Sequence, residues 1–172
     1  MYIIYALMAL VIIAGDRASK LWIEANVALG ETFAHLPLFD FTYVRNEGAA
    51  FSMLSGRMGL LSIVSIVFCL FVIGYFIVKK PKQKLWCTAF TLMFAGAFGN
   101  AWDRIQYGYV TDFIETTFMN FAIFNIADIS IVIGFIIFVN RNKIDSNYYA
   151  KIENGGGELV NTTYFYWIIR FF

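Results

Sequence analysis

The chain contains the stretch MGLLSIVSIVFCLFVIGYFIV at residues 58–78, which is apolar almost throughout and carries no charged side chain. A helix of about 20 such residues is long enough to cross the hydrocarbon core of a bilayer. This stretch therefore predicts a transmembrane helix and decides the class of fold. Three further segments have a similar character, at residues 2–24, 85–102 and 121–139.

The composition supports the same class. Of 172 residues, 60% are hydrophobic and 15% are charged, and the mean hydropathy is +0.67. A soluble domain carries about 25% charged residues. The chain has no basic stripe with interleaved aromatic residues, so a nucleic acid is not expected as a partner. Cys69, Cys87 and the single histidine, His35, lack the spacing of zinc ligands, so we expect no zinc site.

Charged residues set the orientation of the predicted helices. Lysines crowd the short loop at residues 79–84, and Arg141 and Lys143 follow the last apolar segment. Because basic residues collect on the cytoplasmic side, both termini are expected there. The opposite side then holds residues 25–57, whose alternating apolar residues predict a small sheet. We expect an all-α membrane protein with four transmembrane helices, both termini cytoplasmic, and a small β-rich extracytoplasmic segment between helices 1 and 2.

The two ends of the chain differ in character. No lysine or arginine precedes Arg17, and the apolar run starts at residue 2, so a retained first helix is favoured over a cleaved signal peptide. Residues 146–172 contain a polar stretch with a glycine triplet. We therefore expect a membrane-embedded domain at residues 1–145 and a flexible or interfacial tail at residues 146–172.

Costly polar side chains collect at one depth in this topology. Counting 1.5 Å per helical residue places them all near the outer interface. They are Asp16, Asn100, Asp112, Asn125 and Asp128. An ionisable residue at membrane depth is a functional-site hypothesis by default. Asp112 lies in the loop before the predicted fourth helix, and Asp128 lies within that helix. Two neighbouring carboxylates share a proton, so this pair is suited to general acid–base catalysis.

The residues alone leave other interpretations open. The same carboxylates would suit a proton or ion pathway across the membrane, and a purely structural membrane protein is the third possibility. Asp103 could cap a helix end beside Arg104, and Asp16 could form a structural ion cluster with Arg17 and Lys20. His35 has no serine or cysteine motif with which to form a nucleophilic triad.

Five short motifs follow one another in a fixed order. They are Asp16-Arg-Ala-Ser-Lys20, Arg45-Asn-Glu-Gly-Ala-Ala-Phe51, Ala95-Gly-Ala-Phe-Gly-Asn-Ala-Trp-Asp-Arg104, Val110-Thr-Asp-Phe113 and Phe124-Asn-Ile-Ala-Asp-Ile-Ser-Ile-Val-Ile-Gly134. Their order and spacing over residues 1–143 resemble the lipoprotein signal peptidase family, also called signal peptidase II. The chain departs from the family pattern in lacking a proline before Phe124 and in a short stretch between Asp112 and Asp128.

The resemblance implies an aspartic endopeptidase of the bacterial cytoplasmic membrane, active near its extracytoplasmic interface. Such an enzyme removes the signal peptide from diacylglyceryl-modified prolipoproteins by cleaving before the lipidated cysteine. The implied catalytic pair is Asp112 and Asp128. The implied supporting or substrate-binding residues are Asp16, Lys20, Asn46, Gly48, Asn100, Arg104 and Asn125. The resemblance further implies no cofactor, contact with membrane lipids and inhibition by globomycin-type peptides; we expect a monomer.

Overall fold

The computed structural model describes residues 2–48, 58–119 and 121–153. Within these ranges the chain forms helices and strands in the order α1, β1, β2, α2, α3, β3, α4. The helices are α1 (Tyr2–Asn26), α2 (Met58–Lys79), α3 (Lys84–Tyr107) and α4 (Ile126–Glu153). The strands are β1 (Thr32–His35), β2 (Phe39–Asn46) and β3 (Val110–Thr116).

Each of the four predicted apolar segments corresponds to a helix, with different bounds. By length and apolar composition, α1 and α2 are able to cross a membrane. Many of their side chains, such as Ile3, Val11, Leu70 and Val78, are apolar and exposed, as a lipid-facing surface requires. The helices α3 and α4 are less apolar, since α3 carries Asn100, Asp103 and Arg104 and α4 carries Asp128, Arg141 and Lys143.

The start of the fourth helix was predicted wrongly. The sequence pattern placed it at residue 121, but α4 begins at Ile126. Phe124 instead bonds to Ile114 of β3 as an isolated antiparallel bridge. Apolar content does not distinguish an extended segment from a helical turn, so the apolar residues 121–124 were wrongly assigned to the helix. At its other end α4 continues to Glu153, so residues 146–153 of the predicted tail are part of this helix, and residues 154–172 lie outside the described residues.

The three strands form one antiparallel sheet in the order β1-β2-β3. The predicted β-rich segment supplies β1 and β2, while its residues 49–57 lie outside the described part of the chain. The third strand comes from the connection between α3 and α4, which the sequence analysis described as a loop. In its register Val44 pairs with Asp112 and Asn46 pairs with Val110. The sheet thus joins the two connections that carry polar motifs.

A small apolar core holds the sheet against the end of α1. Ile23 and Val27 of α1 pack with Tyr43 of β2 and Phe113 of β3, and all four are at most 8% exposed. Ile126, the first residue of α4, packs against the same cluster. This core therefore fixes β3 and the start of α4 relative to α1.

Glycines allow α3 and α4 to pack closely. A Cβ atom at Gly96 of α3 would lie 2.2 Å from the backbone oxygen of Ala127, and one at Gly134 of α4 would lie 2.7 Å from that of Ala89. Small residues are the usual means of bringing membrane helices together. The contact places the first turn of α4 beside the polar end of α3.

The chain divides into two compact units, residues 1–138 and residues 139–172. The first contains the sheet, α1 to α3 and the N-terminal part of α4, and it holds every residue of the site described below. The second contains the C-terminal part of α4 up to Glu153.

Candidate active site

Asp112 is held by strand pairing and by two amides. It lies in β3, not in the loop that the sequence suggested, and is 2% exposed. Asn46, at the end of β2, donates from Nδ2 to Asp112 Oδ2 at 2.8 Å. Asn125 donates from Nδ2 to Asp112 Oδ1 at 2.7 Å. Both carboxylate oxygens therefore have a partner, and the orientation of the group is fixed.

Asp128 lies in the first turn of α4. Its backbone N–H donates to Asn125 Oδ1 at 2.9 Å, and its Oδ2 accepts from the Asn125 N–H at 3.2 Å. Asn125 is therefore the N-cap residue, not a residue within the helix as the sequence analysis placed it. Asn100 of α3 donates from Nδ2 to Asp128 Oδ1 at 2.7 Å. The carboxylate is thus held from its own helix and from α3.

The amide of Asn100 is oriented by a lysine. Lys20 Nζ lies 3.1 Å from Asn100 Oδ1, and an ammonium group can only donate hydrogen bonds. The amide oxygen must therefore face Lys20, which turns the NH2 group toward Asp128. Asn125 Nδ2 donates to the same Asn100 oxygen at 3.1 Å. Asn100 and Asn125 are both at most 4% exposed, so they form a buried amide pair between the two aspartates.

A buried ion cluster supports the amides. Lys20 is fully buried and its Nζ lies 2.8 Å from Asp16 Oδ2 and 2.7 Å from Asp103 Oδ2. Asp103 also pairs with Arg17 at 3.2 Å. Asp16 has a further role, because its Oδ1 accepts from the Ala127 N–H at 2.9 Å. A negative charge at the N-terminus of α4 is stabilised by the helix dipole.

Arg104 and Gly48 lie beside the aspartates. The guanidinium of Arg104 donates from Nη2 to the Gly48 backbone oxygen at 3.3 Å. The Gly48 N–H donates to Asn46 Oδ1 at 2.9 Å, which leaves the Asn46 amide nitrogen facing Asp112. Arg104 therefore ties the end of α3 to the turn that follows β2.

A cavity of about 400 Å³ opens at this cluster. Its polar lining consists of Asn46, Asn100, Arg104, Asp112 and Asp128. The remaining lining is apolar and comes from Val110, residues 121–124 and the α4 residues Ile129, Ile131, Val132 and Ile133. The cavity can therefore hold an apolar ligand that has one polar group directed at the aspartates.

The Asp112 carboxyl group can gain or lose a proton near neutral pH. Burial, followed by the negative charge of Asp128, raises the pKa of the Asp112 carboxyl to about 7. The amide bonds from Asn46 and Asn125 act in the opposite direction because they favour the carboxylate. At neutral pH the pair can thus carry one proton between its two members.

All nine site residues predicted from the sequence lie in or beside this cluster. His35, which was not among the predicted site residues, lies away from the cluster. It pairs with Asp40 at 2.9 Å on the exposed part of the sheet. The sequence analysis missed the pairing of Asp103 with Lys20, since it considered Asp103 only as a helix cap. It also missed the capping role of Asn125, although Asn125-Ile-Ala-Asp128 has the N-cap to N3 spacing of a capping box.

Comparison with known proteins agrees with this geometry. The family model described as signal peptidase (SPase) II matches residues 8–142. A lipoprotein signal peptidase of Latilactobacillus sakei is 42% identical over 136 residues, covering 78% of this chain and 89% of that protein. One of Enterococcus faecalis is 37% identical over 155 residues, covering 89% of this chain and 96% of that protein.

A solved structure shares the fold. It is that of a bacterial membrane enzyme determined by the in meso method at 2.3 Å resolution, with a TM-score of 0.80 and 33% sequence identity. The match covers 91% of this chain and 94% of the other. The fold and the site thus define a helical membrane enzyme with two aspartates lining one cavity. The chain belongs to the signal peptidase II family, and the comparisons give no support to a proton or ion pathway.

Proposed function

We propose that the chain is an aspartic endopeptidase that removes the signal peptide from diacylglyceryl-modified prolipoproteins and cleaves before the lipidated cysteine. Its relatives are named lipoprotein signal peptidases, which supports this class of substrate. One observation carries the catalytic assignment. Asp112 is buried and Asp128 is partly buried, both contact Asn125, and both line the same cavity.

The proposed reaction uses the two carboxyl groups as acid and base. One carboxylate takes a proton from water as the water oxygen attacks the scissile carbonyl carbon. The other, protonated, donates its proton to the carbonyl oxygen, which gives a neutral tetrahedral intermediate. When the C–N bond breaks, one carboxyl group protonates the leaving amine and the other takes a proton from the intermediate. Free acid and free amine are the products.

The supporting residues have separate tasks in this proposal. Asn46, Asn100 and Asn125 hold the carboxyl groups, while Lys20 and Asp16 hold Asn100 and the start of α4. Arg104 lines the cavity and is bonded to the Gly48 backbone oxygen, so the two are suited to bind the polar part of the substrate. The apolar α4 residues of the cavity wall would accept an acyl chain or the end of the signal peptide. The same cavity would bind globomycin-type cyclic peptides.

The proposed topology has four transmembrane helices with both termini cytoplasmic. At 1.5 Å per residue the 24 residues of α3 extend roughly 36 Å, enough to cross a bilayer core of about 30 Å. The lysine-rich connection between α2 and α3 would be cytoplasmic, which puts the sheet and the aspartates near the outer interface. A cleavage site emerging from the membrane would meet them there. In this arrangement residues 1–145 form the peptidase domain in contact with lipid, residues 146–172 form its tail, and the enzyme acts as a monomer.

The test is cleavage of a purified diacylated prolipoprotein by the full-length protein in detergent or liposomes. Asp112→Asn and Asp128→Asn are each expected to abolish formation of the product that begins with the lipidated cysteine. The matched control is Asp40→Asn, since Asp40 is a partly exposed carboxylate of the same sheet that pairs with His35. Full cleavage by either dyad variant, or loss of cleavage in the control, would contradict the assignment.

A further inference from the structure

The first helix directs three polar side chains at the site. Asp16, Lys20 and Glu24 are spaced four residues apart, so they lie on one face of α1, each about 6 Å along the axis from the next. Each contacts a different element. Asp16 accepts a hydrogen bond from the start of α4, Lys20 donates to α3, and Glu24 accepts from Thr111 of β3. The first two contacts belong to the site described above, whereas the third has no role in it.

We propose that Glu24 and Thr111 form a positioning pair that sets the location of the Asp112 carboxyl group. Thr111 Oγ1 donates to Glu24 Oε1 at 2.6 Å, and Thr111 is 1% exposed. Thr111 directly precedes Asp112 in β3. Because successive side chains of a strand point to opposite faces, Thr111 reaches α1 while Asp112 faces the cavity. This inference rests on the proposed role of Asp112 in peptide cleavage.

The Glu24–Thr111 hydrogen bond sets the position of Thr111 relative to α1, which strand pairing alone does not set. Antiparallel pairing aligns Thr111 with Arg45 of β2. The apolar core holds the sheet against α1, but apolar packing is not directional and does not by itself set the exact position of Thr111. A hydrogen bond to a carboxylate is short and stronger than one between neutral groups, so the Glu24 contact resists displacement of Thr111 relative to α1. A further link is available on the same residue, since the Thr111 backbone oxygen lies 3.5 Å from Asn125 Nδ2. Thr111 therefore connects α1, β3 and the amide that contacts both aspartates.

The first experiment compares Thr111→Val with Thr111→Ser in the full-length protein. Valine keeps the shape and removes the hydroxyl, whereas serine keeps the hydroxyl. We expect Thr111→Val to lower kcat by about tenfold to a hundredfold with KM changed by less than about twofold, because misplacement of a reacting group slows chemistry. Thr111→Ser is expected to retain most of the parent kcat. An unchanged kcat in Thr111→Val, or an equal loss in both variants, would overturn the proposal.

A matched control exists in the same sheet. Thr42 Oγ1 donates to Glu115 Oε2 at 2.7 Å, which is the same chemistry away from the aspartates. Thr42→Val should therefore leave kcat and KM unchanged. If it reduced kcat as much as Thr111→Val does, the effect would be a general loss of sheet stability and the positioning role would be refuted.

Substitutions at Glu24 complete the test. Glu24→Gln keeps an acceptor oxygen and should remain close to the parent, while Glu24→Ala should match Thr111→Val. Combining Glu24→Ala with Thr111→Val should cost no more than either change alone; losses that multiply would contradict a shared contact. Asp112→Asn distinguishes a failure of the positioning role from a failure of the proposed function. If it is inactive and Thr111→Val is fully active, only the positioning role fails; if Asp112→Asn is active, the proposed function itself fails.

Discussion

Asn125 and Asp128 exchange two hydrogen bonds across the first turn of α4. The Asp128 N–H donates to Asn125 Oδ1 at 2.9 Å, and the Asn125 N–H donates to Asp128 Oδ2 at 3.2 Å. This is the geometry of a capping box, with asparagine and aspartate in place of the usual serine or threonine and glutamate or glutamine. The motif that begins the helix therefore also holds one of the two carboxyl groups proposed to act in catalysis.

Substitution of Asn125 should separate capping from catalysis. Asn125→Ala removes the cap and is expected to lower the free energy of unfolding by about 1 kcal/mol. Asn125→Ser keeps a capping oxygen but lacks the amide that donates to Asp112, so stability should be nearly retained while cleavage falls by about a hundredfold or more. Thermal unfolding in detergent and a cleavage assay measure the two effects.

The control for these variants is Asn26→Ala. The Asn26 side chain is exposed and donates to the Trp22 backbone oxygen of its own helix. Asn26→Ala should therefore leave the cleavage rate and the unfolding temperature close to those of the parent. Full activity of Asn125→Ser would show that the amide donors of Asn125 are dispensable.

Lys20→Met should destabilise the protein strongly. The lysine is fully buried between Asp16 and Asp103, and methionine would leave both carboxylates without this partner. Removal of one partner from a buried ion pair costs about 3–5 kcal/mol. Chemical or thermal unfolding in detergent measures the loss, with Lys82→Met in the exposed α2–α3 connection as the control. Equal unfolding midpoints for the two variants would contradict the buried cluster.

Gly96→Ala tests the contact between α3 and α4. The added Cβ would lie 2.2 Å from the Ala127 backbone oxygen, so α4 must move away from α3. We expect a loss of about 1–3 kcal/mol in stability and a fall in cleavage, because Asp128 lies in the same turn as Ala127. In Gly74→Ala of α2 the new methyl group meets nothing within 4 Å, so that variant should be neutral or slightly more stable. Similar behaviour of the two variants would refute the close packing.

The pH dependence of cleavage should report the Asp112 carboxyl. Its pKa is raised to about 7, so the shared proton is lost and activity falls as the pH rises above that value. The Asn46 amide stabilises the carboxylate and so lowers this pKa. Asn46→Ala should therefore move the alkaline limb of the profile to higher pH, in addition to reducing the rate. A profile that is flat from about pH 6 to about pH 9 would contradict the shared proton.

Most of the site could be predicted because its residues are costly in an apolar chain. Asp16, Lys20, Asn100 and Asp128 stand out within helices, and their spacing correctly placed Asp16 and Lys20 on one face. The motif order then indicated Asp112, Asn46, Gly48 and Arg104. These residues carry a strong signal because burial of an ionisable group in an apolar segment is expensive without a partner.

The local structure around the aspartates was harder to predict. β3 is short, and its pairing with β2 joins residues more than sixty positions apart, which periodicity within one segment cannot detect. The apolar residues 121–124 were assigned to a helix because nothing local marks them as the partner of β3. Glu24 and Thr111 were missed for the same reason, since each is ordinary in its own segment and becomes significant only through the contact.

The central claim is that Asp112 and Asp128 act as one catalytic unit, and the most direct measurement is single-turnover cleavage by Asp112→Asn, Asp128→Asn and the double variant. Residues that act together show non-additive losses. The account predicts that each single variant loses at least about a thousandfold in rate and that the double variant loses no more. Losses below about tenfold in either single variant, or losses that multiply in the double variant, would contradict it.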